Sequence, residues 1–146
     1  MSFTRVLIAI DNHPSSLKTA EAGFELAQAL DAQAGLLYTV DRTKENINIE
    51  AGPTRKESET ALRKEAQTTI EQLAGMYKGK KTLSRFTPEG LPKEEILNVA
   101  ADWKADLIVM GNHARSGLSQ LFNGSIEEHV VNHASMPVLV IPHINK

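Results

Sequence analysis

Short aliphatic runs alternate with amphipathic helical stretches along the whole chain, and this alternation limits the fold more than any other feature. Phe3–Ile10 reads as a buried strand of β-branched and aliphatic residues. Pro14 stands where a first helical residue would, and Leu17, Ala20, Phe24, Ala27 and Leu30 follow at helical spacing. Gly35–Val40 reads as a second strand. Thr54 and Glu57 have capping-box spacing, and Leu62, Ala66, Ile70, Leu73 and Tyr77 form an apolar stripe behind them. Thr82–Phe86 predicts a third, more polar strand at a sheet edge. Pro92 opens a helix with inner face Ile96, Ala100 and Trp103. Ala105–Met110 is a fourth strand, Gly124–Ala134 a last helix and Pro137–Ile141 a last strand. Every strand but the last leads into a helix. Such a chain makes an open α/β parallel sheet covered on both faces by right-handed crossovers.

The 146 residues fall in the range of one domain, here taken as 1–146, and 41% hydrophobic content fills one core. There is no cysteine, which fits a cytoplasmic setting and excludes thiol chemistry. The first residues carry no basic leader pattern, and no stretch approaches ~18 apolar residues. A net charge of −2 argues against a nucleic-acid partner. Lys78-Gly79-Lys80-Lys81 reads as a solvated helix end. Asp41–Pro53 is the one long irregular piece and reads as a surface flap.

In an open parallel sheet, ligands sit beyond the carboxyl ends of the strands, where strand order reverses. That directs attention to Asp11-Asn12-His13 after strand one, Val40-Asp41 after strand two, Thr87-Pro88-Glu89-Gly90 after strand three, and the stretch "MGNHARSGLSQLFNGS" from Met110 to Ser125. Glycines permit close backbone approach, and a following helix N-terminus offers unpaired N–H groups to an anion. Arg115 adds positive charge. Neither a P-loop triplet nor the dinucleotide glycine spacing is present. Two readings stand at this point. One is an anion site. The other is a loop whose glycines serve turns while Ser125 caps the last helix.

The chain resembles the universal stress protein family over essentially its whole length. The resemblance is carried by "VLIAIDNHPSSLKTAEAGFELAQAL", "GLLYTV", "EEILNVAADWKADLIVMGNH" and "GLSQLFNGSIEEHVVNHASMPVLVIP". The family's nucleotide-binding branch carries a glycine, two residues, a second glycine, nine residues, then glycine with serine or threonine. Here these positions hold Gly111, Ala114, and Gly124-Ser125. Spacing is kept and the second glycine is replaced.

The resemblance implies a flavodoxin-like (Rossmann-like) sheet of order 3-2-1-4-5 and ATP, with magnesium, in the crevice between strands one and four. It implies a site of Ile10 and Asp11 at the first strand end, Asp11 meeting ribose or adenine. Val40 would hold the adenine through its backbone, and Met110 and Gly111 would line the floor. Gly124, Ser125 and Ile126 would meet phosphates. Asn112 and Arg115 join as phosphate neighbours by position. If position 114 needs left-handed φ, Ala114 costs about 1–2 kcal/mol, roughly tenfold in affinity. The resemblance also covers members that bind no nucleotide and act through other proteins. A homodimer through Pro137–Ile141 is expected, because an apolar edge strand calls for a partner.

Other constellations read as structural. His129 and His133, four apart, read as two exposed helical residues, without the HExxH arrangement of a metal site. Ser15 and Ser16 read as helix caps near His13, and Glu94 and Glu95 suit a helix first turn. No clear general base stands by the phosphates, so any ATP hydrolysis is expected to be slow.

Overall fold

The structure, a computed structural model, describes residues 2–44, 55–113 and 125–143. Five parallel strands form one sheet in the order β3-β2-β1-β4-β5. They are β1 (Arg5–Ile10), β2 (Gln33–Tyr38), β3 (Ser84–Phe86), β4 (Leu107–His113) and β5 (Val138–His143). The helices are α1 (Ser16–Ala29), α2 (Arg55–Ala74), α3 (Pro92–Trp103) and α4 (Ile126–His133), with a short 3-10 turn at Arg42–Lys44. The expected sheet and its order are therefore present. Among the described residues no helix is long and apolar enough to cross a membrane.

Two apolar clusters fill the two faces. Val6, Ile8, Leu36 and Val109 meet α1 and α2 on one side. Leu7, Leu37, Ile108 and Met110 meet α3 and α4 on the other. Consecutive strand side chains point to opposite faces, so a strand covered on both sides must be apolar throughout. Val6, Leu7 and Ile8 meet that demand and are fully buried.

α1 lies close on β1. A Cβ built on Gly23 would stand 2.6 Å from both Cγ1 and Cδ1 of Ile8, so only glycine allows this approach. The buried face of α1 is Ser16, Thr19, Ala20, Gly23, Phe24 and Ala27. Of the apolar stripe read from sequence, Ala20, Phe24 and Ala27 lie on this face, whereas Leu17 is 50% exposed and Leu30 is the C-cap. Small polar residues, not leucines, occupy the tight seam.

The element ends differ from expectation in instructive ways. Gly111–His113 belong to β4, because β5 runs on through Pro142 and His143 and pairs with them. Ile108 N–H donates to the Pro137 carbonyl, so odd-numbered β5 residues face β4. By strand alternation the missing N–H of Pro142 falls on the free edge, where a proline is tolerated. Tyr77 lies beyond the end of α2 and packs on Phe24, ring centres 5.1 Å apart. Thr54 of the proposed capping box lies outside the described residues. Ser15 takes the N-cap position of α1 in αR geometry, and its side chain makes no cap hydrogen bond. At the opposite end of the sheet, Asp106 Oδ2 accepts from the Thr4 hydroxyl, Thr4 N–H and Arg5 N–H at 2.7, 2.7 and 2.9 Å. The Thr4 bonds foremost hold its carboxyl below the usual range.

The Gly23 contact gives a direct test. Gly23→Ala gains helix propensity but overpacks Ile8, for a net loss of about 1–2 kcal/mol. Adding Ile8→Ala removes both atoms that crowd the new methyl, Cγ1 and Cδ1. The double variant should be more stable than the sum of the two single losses, as read by denaturant unfolding.

Candidate functional site

A cavity of about 260 Å³ opens where β1, β2 and β4 end. β1 lies between β2 and β4, and their crossovers leave on opposite faces, so no helix fills the space above the strand ends. The side toward α3 and α4 is apolar at Ala9, Leu37, Ile96, Met110, Pro92 and Ile126, with Glu127 of α4 its one charged residue among those described. The side toward α1 and α2 is polar: Asp11, Asn12, Ser16, Tyr38 and Glu65.

The polar side is held in place by its own hydrogen bonds. Asp11 Oδ1 accepts from His13 N–H and from the Ser16 hydroxyl, both at 2.9 Å. Asp11 N–H donates back to Ser16 Oγ at 3.0 Å. Ser16, read as a cap, thus orients the Asp11 carboxylate instead. Ser15 N–H donates to His13 Nδ1 at 3.0 Å, fixing the turn between β1 and α1. Glu65 Oε1 accepts from Asn12 Nδ2 at 2.9 Å and from the Tyr38 hydroxyl at 3.4 Å. One carboxylate on α2 therefore ties the loop after β1 to the end of β2.

Val40 closes the wall. Its N–H donates to the Pro88 carbonyl at 2.7 Å, and its carbonyl accepts from Gly90 N–H at 3.1 Å. The Val40 N–H is thus committed to the β3–α3 turn, while its carbonyl keeps a second lone pair. Gly90 has φ of 150°, a conformation that favours glycine. Beside this wall, Arg63 pairs with Glu89, and Arg42 meets Glu59 at 3.4 Å.

The cavity is acidic. Asp11, Asp41, Glu65 and Glu127 all line it, and none of its described lining residues is Lys, Arg or His. Asp41 Oδ1 accepts from both Thr43 N–H and its hydroxyl, at 3.0 and 2.6 Å. Burial first, then the Glu65 and Asp11 charges, push the Tyr38 phenol up to about 12. At the cavity's α4 side, Ser125 caps the helix, its Oγ accepting from Glu128 N–H at 2.9 Å.

Of the residues singled out from sequence, Ile10, Asp11, Val40, Met110, Gly111 and Ile126 come together around this cavity. Asn112 lies in β4 and Ser125 at the α4 cap, neither on the cavity lining. Ala114, Arg115 and Gly124 lie outside the described residues. Asn12, singled out with Asp11 past the first strand end, lines the cavity, whereas sequence reasoning missed Tyr38 and Glu65. Glu65 carries no such signal, since a glutamate on an exposed helix is the ordinary solvated case.

The model of the universal stress protein family matches residues 2–142. The chain is 30% identical over 141 residues to universal stress protein MJ0531 of Methanocaldococcus jannaschii, covering 95% of this chain and 82% of that one. Among solved structures, universal stress protein UspA from Lactobacillus plantarum aligns with TM-score 0.77 and 25% identity, covering 97% and 99% of the two chains. A universal stress protein solved in complex with cAMP aligns with TM-score 0.76 and 19% identity, covering 97% and 98%. A sheet of order 3-2-1-4-5 with a cavity at the β1/β4 switch point, together with these matches, defines the class. This chain belongs to the universal stress protein family.

The phenol offers a titration test. Free tyrosine ionises near 10.0 and Tyr38 near 12, so between these values the folded state keeps a proton that the unfolded state has lost. Stability therefore falls as pH rises through that window. Glu65→Gln removes one of the charges opposing the phenolate. The Tyr38 transition, followed by phenolate absorbance with Tyr77→Phe as background, should move down toward the ordinary value.

Proposed function

We propose that this protein is a stress-response regulator that binds an adenine nucleotide, ATP with magnesium, at the C-terminal ends of β1 and β4. The observation that carries the reading is the two-sided cavity. Its apolar side, with Met110, Leu37 and Ile96, suits the faces of a purine. Its polar side presents Asp11, an acceptor suited to ribose hydroxyls. The second lone pair of the Val40 carbonyl can take the adenine amino group, whereas the Val40 N–H is already used. Phosphates would lie toward α4, where the Ser125 hydroxyl proton and the N–H of Ile126 belong to a helix N-terminus.

Charge supports this orientation. Four carboxylates in the cavity disfavour phosphate inside it and direct the anionic end outward. Magnesium would supply positive charge between the phosphates and this acidic lining, and Arg115 belongs to the sequence stretch expected to face them. The neighbour solved with cAMP is in keeping with an adenine nucleotide in this fold. A cysteine-free chain fits the cytoplasm, where ATP is available. The competing reading is a stress protein that acts through protein contacts alone.

Calorimetric titration with ATP and magnesium tests the reading. Asp11→Ala should weaken binding about ten- to hundredfold, the loss of about 1.5–3 kcal/mol from a charged hydrogen bond. Ser125→Ala should cost roughly 1 kcal/mol through one hydroxyl contact and the cap. Gly124→Val should remove binding. Ala114→Gly, which restores the motif glycine, should tighten it about tenfold. Folded wild type and Ala114→Gly that both give no heat would favour protein contacts instead.

The homodimer is part of the same proposal. β5 is a sheet edge, and Leu139 on it is 41% exposed. By the alternation above, Val138 and Val140 turn their backbone groups to that edge, available to a second copy related by a two-fold axis. Val140→Pro deletes an outward N–H and spares the β4 ladder. Light scattering at micromolar concentration should then show a dimer for the native chain and a monomer for the variant. An unchanged dimer would place the interface elsewhere.

A further inference from the structure

His129 and His133 stand one turn apart on α4, away from the cavity lining. Their rings stack with centres 4.2 Å apart and planes inclined by 25°. His133 Nδ1 lies 2.8 Å from the His129 carbonyl oxygen. A carbonyl only accepts, so this contact assigns a proton to Nδ1 and leaves Nε2 as the nitrogen with a lone pair in the neutral ring. Histidines that ligate metals are set in this way, one ring nitrogen donating to a carbonyl and the other free for the ion. His129 is half-buried and His133 exposed, so water and ions reach both.

We propose that His129 and His133 form a two-imidazole site for a divalent transition-metal ion. Two nitrogens at ~2.0–2.1 Å from a tetrahedral ion lie roughly 3.4 Å apart. In the stacked arrangement the ring-plane lone pairs run side by side, so binding requires the His129 ring to turn out of the stack while His133 stays held by its Nδ1 contact. Among the described residues no third His, Cys, Asp or Glu completes a cluster, so water fills the other positions. Imidazole nitrogens select copper, nickel or zinc and leave magnesium and calcium to oxygen ligands. The site is thus chemically separate from the magnesium expected with a nucleotide. Because the ligands sit at i and i+4, the bound ion also clips one turn of α4.

The test is titration of the untagged full chain with copper, then nickel and zinc, by calorimetry and proton NMR. One ion should bind per chain, copper more tightly than nickel or zinc, with magnesium in excess failing to displace it. Substoichiometric copper should broaden the ring signals of His129 and His133 before those of the other three histidines. His129→Ala and His133→Ala should each weaken binding at least tenfold, and the double variant should lose it while keeping its far-ultraviolet dichroism. His129→Gln, which keeps a polar group of similar size, should behave as His129→Ala. Absence of saturable copper binding overturns the proposal. So does undiminished binding by the double variant, or first broadening at another histidine.

Discussion

The burial of β1 on all sides is the constraint from which the rest follows. Its edges pair with β2 and β4, and its faces meet α1 on one side and the α3/α4 layer on the other. A strand so placed has no polar outlet, which is why Val6, Leu7 and Ile8 follow one another without interruption. The helix above it must also come close, which brings Gly23 onto Ile8. Two crossovers that depart from β1 and β4 to opposite faces cannot both cover the strand ends. The opening at Asp11 and Gly111 is what this topology leaves over.

What fills that opening divides along the sheet plane. Toward α3 and α4 the lining continues the apolar core, and toward α1 and α2 it becomes a hydrogen-bonded set of carboxylates, hydroxyls and amides. Partly buried carboxylates are costly unless their lone pairs are engaged. Asp11 and Glu65 each have one oxygen held by two donors. That fixes their direction. Tyr38 joins this wall, and its reluctance to ionise reflects its burial first and the Glu65 and Asp11 charges second.

The sheet was legible in the sequence because both-face burial writes itself as unbroken aliphatic runs, and crossovers write themselves as helical stripes. The resemblance of the closing stretch supplied the strand order, which alternation alone does not determine. The strand-end rule then found Asp11, Val40 and Gly111 before any coordinates. Three things were illegible for physical reasons. The two ends of the α1 stripe were misplaced because the buried face also takes Gly23, Ser16 and Thr19, and a search for leucines looks past small residues. The role of Ser16 was misread because a serine before a helix usually caps it, whereas here the carboxylate of Asp11 competes for the hydroxyl. Glu65 was missed because its partners, Asn12 and Tyr38, lie far from it along the chain and meet it only after folding.

The central position of β1 also sets an order of events as the chain leaves the ribosome. Its pairing with β2 needs only the α1 crossover, but its other edge waits for β4, and the Arg5–Asp106 bond beside that pairing spans 101 residues. Until β4 is made, a strand apolar on both faces waits in a half-built sheet with one edge of unpaired N–H and C=O groups. Long-range parallel pairing is slow for the same reason, since loop closure precedes its reward. During synthesis, the most buried strand of the finished protein is therefore the one that stays unprotected longest. The nascent chain is exposed there to misassociation that the native state never faces.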